Sequence, residues 1–206
     1  MTHEAVRFLS AADRRLAKLI RQVGPCTLKP KNRRSPFEAL VQSVVYQQLH
    51  GTAAAAILTR VKALYPQRRF PSPEDLLGTP DQRLRAAGLS RAKIAALKDI
   101  AAQTLSGVVP ARRAIQRLSD AEIVERLTAL RGVGPWTVEM LLIFTLGRPD
   151  ILPATDYGVR KGFALTYGWK DLPTPKELLA AGEKWRPHRT TAAWYFWRAL
   201  DTVTLA

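Results

Sequence analysis

Two glycines separated by a single residue, Gly132 and Gly134, stand between two segments of helical pattern. This spacing permits a tight hairpin, and main-chain amides at such a turn can bind a phosphate without any basic side chain. The predicted phosphate-binding residues are Gly132, Val133, Gly134 and Thr137. The spacing alone is equally typical of a plain turn between helices, so phosphate binding is a hypothesis at this point.

Asp156 lies at the predicted start of a later helix, in the segment 152–163, which reads Pro-x-x-Asp-x-Gly from Pro153. The positive end of a helix dipole favours a carboxylate anion by roughly 0.3–1 kcal/mol. The simplest interpretation is a helix cap, worth about 1 kcal/mol to the fold. The pattern by itself does not assign Asp156 a reaction.

The elements that would position these residues are helices. Ser119 and Glu122 form a capping box, in which each side chain satisfies the main-chain amide of the other residue. A helix follows, and Pro135 suits the first turn of the helix after the hairpin. The hairpin region therefore spans 119–146, with an amphipathic helix on each side of the two glycines.

Most of the remaining chain also has helical spacing of its apolar residues. One helix is predicted over 10–22, and a second helix, beginning at Pro36, is predicted to end at Gly51. No segment alternates apolar and polar residues for long enough to indicate a strand. The sequence therefore predicts an all-α fold.

The composition is that of an ordinary folded protein, with 206 residues of which 47% are hydrophobic and 24% are charged. The length predicts one domain, or two small subdomains that share a core. No apolar stretch is long enough for a membrane span, and the N-terminal residues show no secretory signal. The one cysteine, Cys26, excludes a disulfide framework and any zinc or iron–sulfur site that needs several thiolates. A reducing, cytoplasmic location is expected.

Basic residues dominate the charge: Lys and Arg number 32 and Asp and Glu 17, which gives a net charge of +15. Such an excess favours a polyanionic partner, with nucleic acid the leading candidate and a membrane surface the second. The membrane is disfavoured because no basic amphipathic helix has an unbroken apolar face. A charge that serves solubility alone is the alternative. Folding must gather any charged face from several segments: Lys29, Lys31, Arg33 and Arg34; Arg112, Arg113 and Arg117; Arg160 and Lys161.

The order of hairpin, helix, Pro-x-x-Asp-x-Gly and helix resembles the helix-hairpin-helix superfamily of DNA glycosylases. Trp136 directly after Gly-x-Gly-Pro, together with the tryptophan-rich segments 185–189 and 194–197, resembles the alkylation-repair branch, the 3-methyladenine DNA glycosylase II type. Residues 36–50 are similar to the first helix of that branch. The resemblance covers roughly residues 35–203.

The resemblance implies the compact form of this fold. We expect a single all-α domain over 1–206, made of two helical subdomains with the active-site cleft between them. Larger bacterial relatives have a β-rich domain ahead of the helical core, whereas the residues that precede position 35 here read as helical. No N-terminal β domain is therefore expected.

The implied function is that of a monofunctional glycosylase of base excision repair, acting as a monomer on double-stranded DNA. Such an enzyme flips out an alkylated base of the 3-methyladenine or 7-methylguanine type, hydrolyses the N-glycosidic bond and leaves an abasic site. Asp156 matches the family's catalytic aspartate, which stabilises positive charge on the sugar. Bifunctional members carry a lysine where Trp136 stands, so no strand cleavage is expected. The alternatives are a glycosylase for hypoxanthine or uracil and a non-catalytic DNA-binding hairpin.

Four residues are implied by the resemblance to line the base pocket: Trp136, Met140, Tyr157 and Trp197. The indole face of Trp136 would attract a positively charged purine by a cation–π contact worth about 0.5–2 kcal/mol. Trp197 also fits an ordinary core stripe, and Tyr157 could equally pack away from the pocket. Met140 departs from the family, which often has an aromatic residue at this position.

By the same resemblance, Gln47, Gln48 and His50 enter the minor groove, and Gln48 fills the gap that the flipped base leaves. The alternative is a helix end whose polar side chains face water. The resemblance also implies that no cofactor is required beyond a monovalent cation, Na⁺ or K⁺, bound by main-chain carbonyls of the hairpin region: Thr128, Leu130 and Val133.

Overall fold

The computed structural model describes residues 2–31 and 33–203, and all regular elements within them are helices. The predicted all-α class is therefore confirmed for this part of the chain. Within the same residues, no helix combines the length and the apolar character that a membrane span requires.

The α-helices follow one another with short connections. In chain order they are α1 (Thr2–Ala12), α2 (Arg14–Val23), α3 (Pro36–Tyr46), α4 (Gly51–Ala63), α5 (Pro73–Gly78), α6 (Asp81–Ala86), α7 (Arg91–Leu105), α8 (Arg112–Ile115), α9 (Asp120–Thr128), α10 (Pro135–Leu141), α11 (Tyr157–Tyr167), α12 (Pro175–Gly182) and α13 (Arg189–Val203). A π-helical segment, Leu142–Leu146, follows α10, and a short 3-10 segment, Glu183–Trp185, follows α12.

The chain divides into two compact units. Unit 1 combines Met1–Pro30 with Leu142–Ala206, and unit 2 is Lys31–Leu141. Unit 1 therefore contains α1, α2 and α11 to α13, whereas unit 2 contains α3 to α10. The first helices of the chain thus pack with the last ones, which the order of the sequence does not indicate.

Local signals set several helix starts as predicted. α3 begins at Pro36 behind the Ser35 cap, whose hydroxyl accepts a hydrogen bond from the Glu38 amide. α9 begins behind Ser119, with both hydrogen bonds of the capping box present. α10 begins at Pro135. These starts depend on side chains within three residues of the boundary, which is why the sequence reveals them.

Two predicted helix boundaries are wrong. The helix expected over 10–22 is in fact two helices, because Asp13 leaves helical geometry (φ −148°, ψ 107°) and its carboxylate caps α2. α3 ends at Tyr46 rather than at Gly51, because the backbone becomes extended at Gln47 (ψ 134°). Gly51 instead begins α4.

α3 is the central helix of unit 2. Nine of its residues are buried, over Pro36–Gln42 and at Val44 and Val45. α4, α7 and α10 pack against it. The flanks of α3 are therefore largely covered by neighbouring helices.

The core of unit 1 is rich in aromatic side chains from α11 and α13. Phe163 stacks on Tyr167 with 4.3 Å between ring centroids and meets Phe196 edge-on at 5.7 Å. α11 and α13 approach closely because Gly162 has no side chain: a Cβ there would lie 1.9 Å from the carbonyl oxygen of Phe196. This packing fixes the start of α11 against α13.

A buried carboxylate, that of Asp13, joins α2 to this core. The residue is 5% exposed, and its carboxylate accepts hydrogen bonds from the Trp185 indole at 3.0 Å, from the Lys184 ammonium at 2.7 Å and from the Tyr167 hydroxyl. Burial alone would raise the pKa of this carboxyl. The hydrogen bonds from Lys184, Tyr167 and the α2 backbone outweigh burial and lower the pKa of Asp13 to about 2.

Asp13→Asn should lower the free energy of unfolding by about 2 kcal/mol at pH 7, because the pKa falls from 3.8 to about 2 on folding. A depressed folded-state pKa stabilises the protein above pH ~4, and this contribution is lost as the pH falls through about 2. Urea unfolding at pH 7 and at pH 2.5 measures the effect, and the difference between variant and wild type should shrink at the lower pH. Asn in place of the exposed Asp171 is the control. Equal stability of the Asp13→Asn variant and the wild type at pH 7 would contradict this account.

Candidate functional site

The carboxylate of Asp156 is held between two hydrogen-bond donors. Asp156 caps α11 with extended backbone geometry (φ −68°, ψ 123°), and its Oδ1 accepts from the Val159 amide at 2.8 Å. The indole N–H of Trp197 donates to the same oxygen at 2.8 Å. The residue is half-buried. Because both donors belong to helices, the carboxylate keeps its place without reorganisation of solvent.

Trp197 reaches Asp156 from α13 and also forms part of a stack. Its ring lies 5.6 Å from that of Phe144, with 29° between the two planes. It packs against the buried core of unit 1, yet both rings of the stack are partly exposed. Trp197 therefore lies at the edge of the core, against which it packs, and it contacts the carboxylate as well.

Phe144 is a site residue that the sequence did not reveal. It lies in the π-helical segment Leu142–Leu146, after which the Arg148 amide donates to the Leu142 carbonyl at 2.9 Å. A π turn is wider than an α turn, so it changes which side chains share a face. In the sequence, Leu-Ile-Phe-Thr-Leu reads as the continuation of an apolar helix, and no local signal marks the change.

Gly158 has no side chain and therefore leaves room for the contact between Trp197 and Asp156. A Cβ at Gly158 would lie 2.9 Å from Trp197 Cδ1 and 3.1 Å from Asp156 Oδ1. Tyr157 itself is 61% exposed, and the Lys161 ammonium lies 5.9 Å from its ring centroid. The structure thus places Tyr157 at the surface of unit 1 rather than in its core.

The glycine hairpin belongs to unit 2 and is fixed by α7. Gly132 has a φ of +74°, and a Cβ there would lie 2.9 Å from the methyl group of Ala96. The Asp99 carboxylate accepts from the Arg131 amide at 2.8 Å. Among the described residues, no acceptor engages the amides of Gly132 and Gly134. These two amides are therefore available to a phosphate.

The other two predicted phosphate-binding residues, Val133 and Thr137, are buried. The Val133 amide donates to the Leu130 carbonyl at 3.2 Å. The hydroxyl of Thr137 accepts from the side-chain amide of Gln47 at 3.1 Å, and the same amide donates to the Gly132 carbonyl at 2.9 Å. Gln47 therefore braces the hairpin from the end of α3, and only its side-chain oxygen is left for the predicted groove contact.

The turn between α3 and α4 presents the other predicted groove residues. Gln48 is exposed and has a positive φ of 55°, and Leu49 is 39% exposed. His50 is also exposed, and its Nδ1 lies 3.1 Å from the hydroxyl of Thr52. The turn thus offers two polar side chains and one apolar side chain at the surface of unit 2, beside the braced hairpin.

Lys93 on α7 supports this turn, a role that the sequence did not indicate. Its ammonium donates to the carbonyls of Val45 and Gln47 at 2.7 and 2.8 Å, at the negative end of α3. Burial lowers the pKa of Lys93 from its ordinary value. The partners of these two hydrogen bonds are separated by 48 and 46 positions in the chain, so only the folded unit reveals the contact.

Trp136 and Met140 lie about one turn apart on α10, and both are half-buried. Of the predicted cation ligands, Thr128 is the last residue of α9, where the carbonyls lack partners within the helix, and Leu130 and Val133 follow in the hairpin. The negative end of the helix dipole also favours a cation there. The Leu130 carbonyl accepts from the Val133 amide but retains a second lone pair. By type, these oxygens fit Na⁺ or K⁺.

A family model described as "HhH-GPD superfamily base excision DNA repair protein" matches residues 41–188. The match includes the turn after α3, the glycine hairpin and Asp156. It extends over most of unit 2 and over residues 142–188 of unit 1.

Individual relatives match over nearly the whole chain. DNA-3-methyladenine glycosylase 1 of Schizosaccharomyces pombe is 40% identical over 193 residues, which cover 92% of this chain and 84% of that protein. The structure of the S. pombe 3-methyladenine DNA glycosylase Mag1 in complex with abasic DNA superposes with a TM-score of 0.88 and covers 95% of each chain. A DNA-3-methyladenine glycosidase structure from Bacillus halodurans, 35% identical, has a TM-score of 0.86 and covers 98% of this chain and 91% of its own. The resemblance predicted from the sequence is confirmed.

Gln47→Ala should lower the free energy of unfolding by about 1–2 kcal/mol, since it removes two hydrogen bonds at the hairpin, one of them to a buried hydroxyl. Hydrogen exchange of the amides over 131–137 should become faster. The matched control is Gln48→Ala, which removes an exposed neighbouring side chain and should leave both measurements close to the wild type. Unchanged exchange in Gln47→Ala would show that the brace does not hold the hairpin.

Proposed function

The chain belongs to the HhH-GPD superfamily of base excision DNA repair proteins, and we propose that it is a monofunctional 3-methyladenine DNA glycosylase acting on alkylated bases in double-stranded DNA. The observation that carries the proposal is the Asp156 carboxylate at the start of α11, held by the Val159 and Trp197 N–H groups. The 3-methyladenine glycosylases to which the chain is 35–40% identical support the substrate class, and the abasic DNA bound to Mag1 supports the partner.

The chemistry of the carboxylate follows from the charge that the reaction creates. When the bond between C1′ and the base nitrogen breaks, its electron pair leaves with the base and the sugar becomes cationic. Asp156 stabilises this cation because its anion is already in place. It also orients the water whose oxygen bonds to C1′, and it accepts the proton that the water loses. The products are a free base and an abasic site in an intact strand.

The indole of Trp136 suits the leaving group. Alkylation at N3 or N7 gives a purine a positive charge, so the base leaves without strong acid catalysis. An electron-rich indole face attracts such a ring by about 0.5–2 kcal/mol, depending on how far the contact excludes water. We therefore assign Trp136 to recognition of the charged base, with Met140 beside it on α10.

The absence of an amine at position 136 supports a monofunctional reaction. A lysine there would attack the sugar and permit strand cleavage, whereas an indole cannot act as that nucleophile. The lysine nearest to Asp156 in sequence, Lys161, lies over the ring of Tyr157. Water is therefore the proposed nucleophile.

Main-chain groups of the hairpin would position the DNA. The open amides of Gly132 and Gly134 suit a phosphate, and the exposed turn at Gln48 suits the gap that a flipped base leaves. A Na⁺ or K⁺ ion on the carbonyls of Thr128, Leu130 and Val133 would add a positive charge towards the same phosphate. No other cofactor is proposed, and the enzyme is proposed to act as a monomer.

Asp156→Asn should abolish base release while DNA affinity stays within about tenfold, because affinity rests on phosphate contacts.

Trp197→Phe keeps an aromatic ring but loses the N–H donor, so it should slow release by about tenfold, the effect of one hydrogen bond to a charged group. Methylated duplex DNA is the substrate, the released bases are identified by chromatography, and the strands are checked for cleavage. Full release by Asp156→Asn would refute the mechanism, and strand cleavage by the wild type would refute the monofunctional assignment.

Trp136→Ala should slow the excision of 7-methylguanine more than that of hypoxanthine, because only the first base carries a positive charge. The expected difference is about 2- to 30-fold, which corresponds to a cation–π energy of about 0.5–2 kcal/mol. Single-turnover rates on duplexes that differ only in the lesion measure it. Equal losses on both lesions would argue that Trp136 contributes shape rather than charge recognition.

A further inference from the structure

Unit 2 carries a group of basic side chains at the N-terminal end of α3, around the short helix α8. Four of them are exposed and two are partly exposed. We call them the α8 basic cluster, which consists of Lys31, Arg33, Arg34, Arg112, Arg113 and Arg117.

Two segments far apart in the chain form this cluster. The Arg34 amide donates to the Lys31 carbonyl at 3.0 Å, which closes a turn ahead of α3. The Arg112 guanidinium donates to the Arg34 carbonyl at 3.4 Å and brings α8 beside that turn. Arg113 and Arg117 follow at a spacing of four residues, and the Arg117 amide still bonds to the Ala114 carbonyl, so the two side chains emerge on neighbouring turns.

The positive charge of the cluster is largely uncompensated. Within residues 2–31 and 33–203, no carboxylate forms an ion pair with Lys31, Arg33, Arg113 or Arg117. The nearby acid Glu38 is buried and already bonds to Arg69 at 2.9 Å, with Arg34 at 3.9 Å. A surface that served solubility alone would intersperse charges of both signs. The cluster is therefore suited to a polyanion.

The cluster and the glycine hairpin lie at opposite ends of α3. Gln47 joins the C-terminal end of α3 to the hairpin, whereas Arg34 lies just before its N-terminal end. The helix has 11 residues, which separates its ends by about 16 Å. Helices α4, α7 and α10 pack against α3, so the hairpin and the cluster are reached from its two different ends.

We propose that the α8 basic cluster binds the phosphates of a second DNA duplex while the hairpin holds the first, so that the protein can pass directly from one duplex to the other. The inference rests on the proposed function, because it takes the hairpin as the first DNA site. Arginine suits this partner, since its planar guanidinium matches phosphate oxygens in pairs. A membrane is disfavoured, because no large apolar side chain over 31–36 or 111–117 is exposed among the described residues.

Direct transfer has a kinetic signature. The Asp156→Asn variant is loaded on a fluorescent duplex without a lesion and mixed in stopped flow with increasing amounts of unlabelled duplex. If a second duplex binds before the first leaves, the dissociation rate rises linearly with competitor concentration. Adding Arg33→Ala, Arg113→Ala and Arg117→Ala should reduce that slope at least fivefold and leave the rate extrapolated to zero competitor unchanged.

The matched control removes the same charge elsewhere, with Arg7→Ala, Arg14→Ala and Arg21→Ala on exposed positions of α1 and α2. It should keep the slope of its parent. A flat rate in the parent, an unchanged slope in the cluster variant, or an equal loss in the control would each overturn the proposal. The proposal would also be overturned if the cluster substitutions weakened binding to anionic phospholipid vesicles and had no effect on transfer between duplexes.

The outcome is separable from that of the proposed function. Transfer is measured on lesion-free DNA with an inactive variant, so it does not depend on base release. In the otherwise wild-type protein, the three cluster substitutions should leave the single-turnover rate on a short lesion duplex unchanged. If they lowered that rate as much as they lowered transfer, the cluster would belong to the first duplex site and the proposal would be wrong.

Discussion

The arrangement of unit 1 depends on the position of one carboxylate oxygen, Asp156 Oδ1. This oxygen accepts hydrogen bonds from the Val159 amide and from the Trp197 indole, each at 2.8 Å. The amide is available because Asp156 begins α11. The indole is available because Gly162 lets α11 approach α13 and because Gly158 has no side chain in the way. The stack of Phe144 on Trp197 then limits the rotation of the indole. The start of α11, the two glycines and the ring stack thus all serve the position of one oxygen atom.

In unit 2 the groups held in a fixed position are hydrogen-bond donors rather than an acceptor. At the hairpin, N–H groups are left open rather than satisfied, and the surrounding bonds hold the loop in shape. The Asp99 carboxylate bonds to the Arg131 amide, and the Gln47 side chain bonds to the Gly132 carbonyl. Each of these contacts uses hairpin groups other than the amides of Gly132 and Gly134. Donors fixed before a ligand arrives do not lose conformational freedom on binding, which makes neutral amides effective ligands for a phosphate.

The features that the sequence predicted are those determined within a few residues. The caps at Ser35, Ser119 and Asp156 each depend on a side chain and the amide three residues later, and the start at Pro135 depends on the proline ring itself. The missed features depend on partners far along the chain. The break at Asp13 is stabilised by Tyr167 and Trp185, more than 150 residues away. The π turn at Phe144, the Lys93 contact at the end of α3 and the contact of Gln47 with the hairpin likewise have no local signature.

The protein has a net charge of +15, yet the two N–H groups that bond to Asp156 Oδ1 carry no net charge. The basic residues that follow Asp156 are directed elsewhere: the Arg160 guanidinium donates to the Pro173 carbonyl at 2.7 Å, and the Lys161 ammonium lies over the Tyr157 ring. Charges further away are screened over about 8 Å at physiological salt, whereas the N–H groups at 2.8 Å are not. The helix amide and the indole thus orient the carboxylate through N–H groups that carry no net charge.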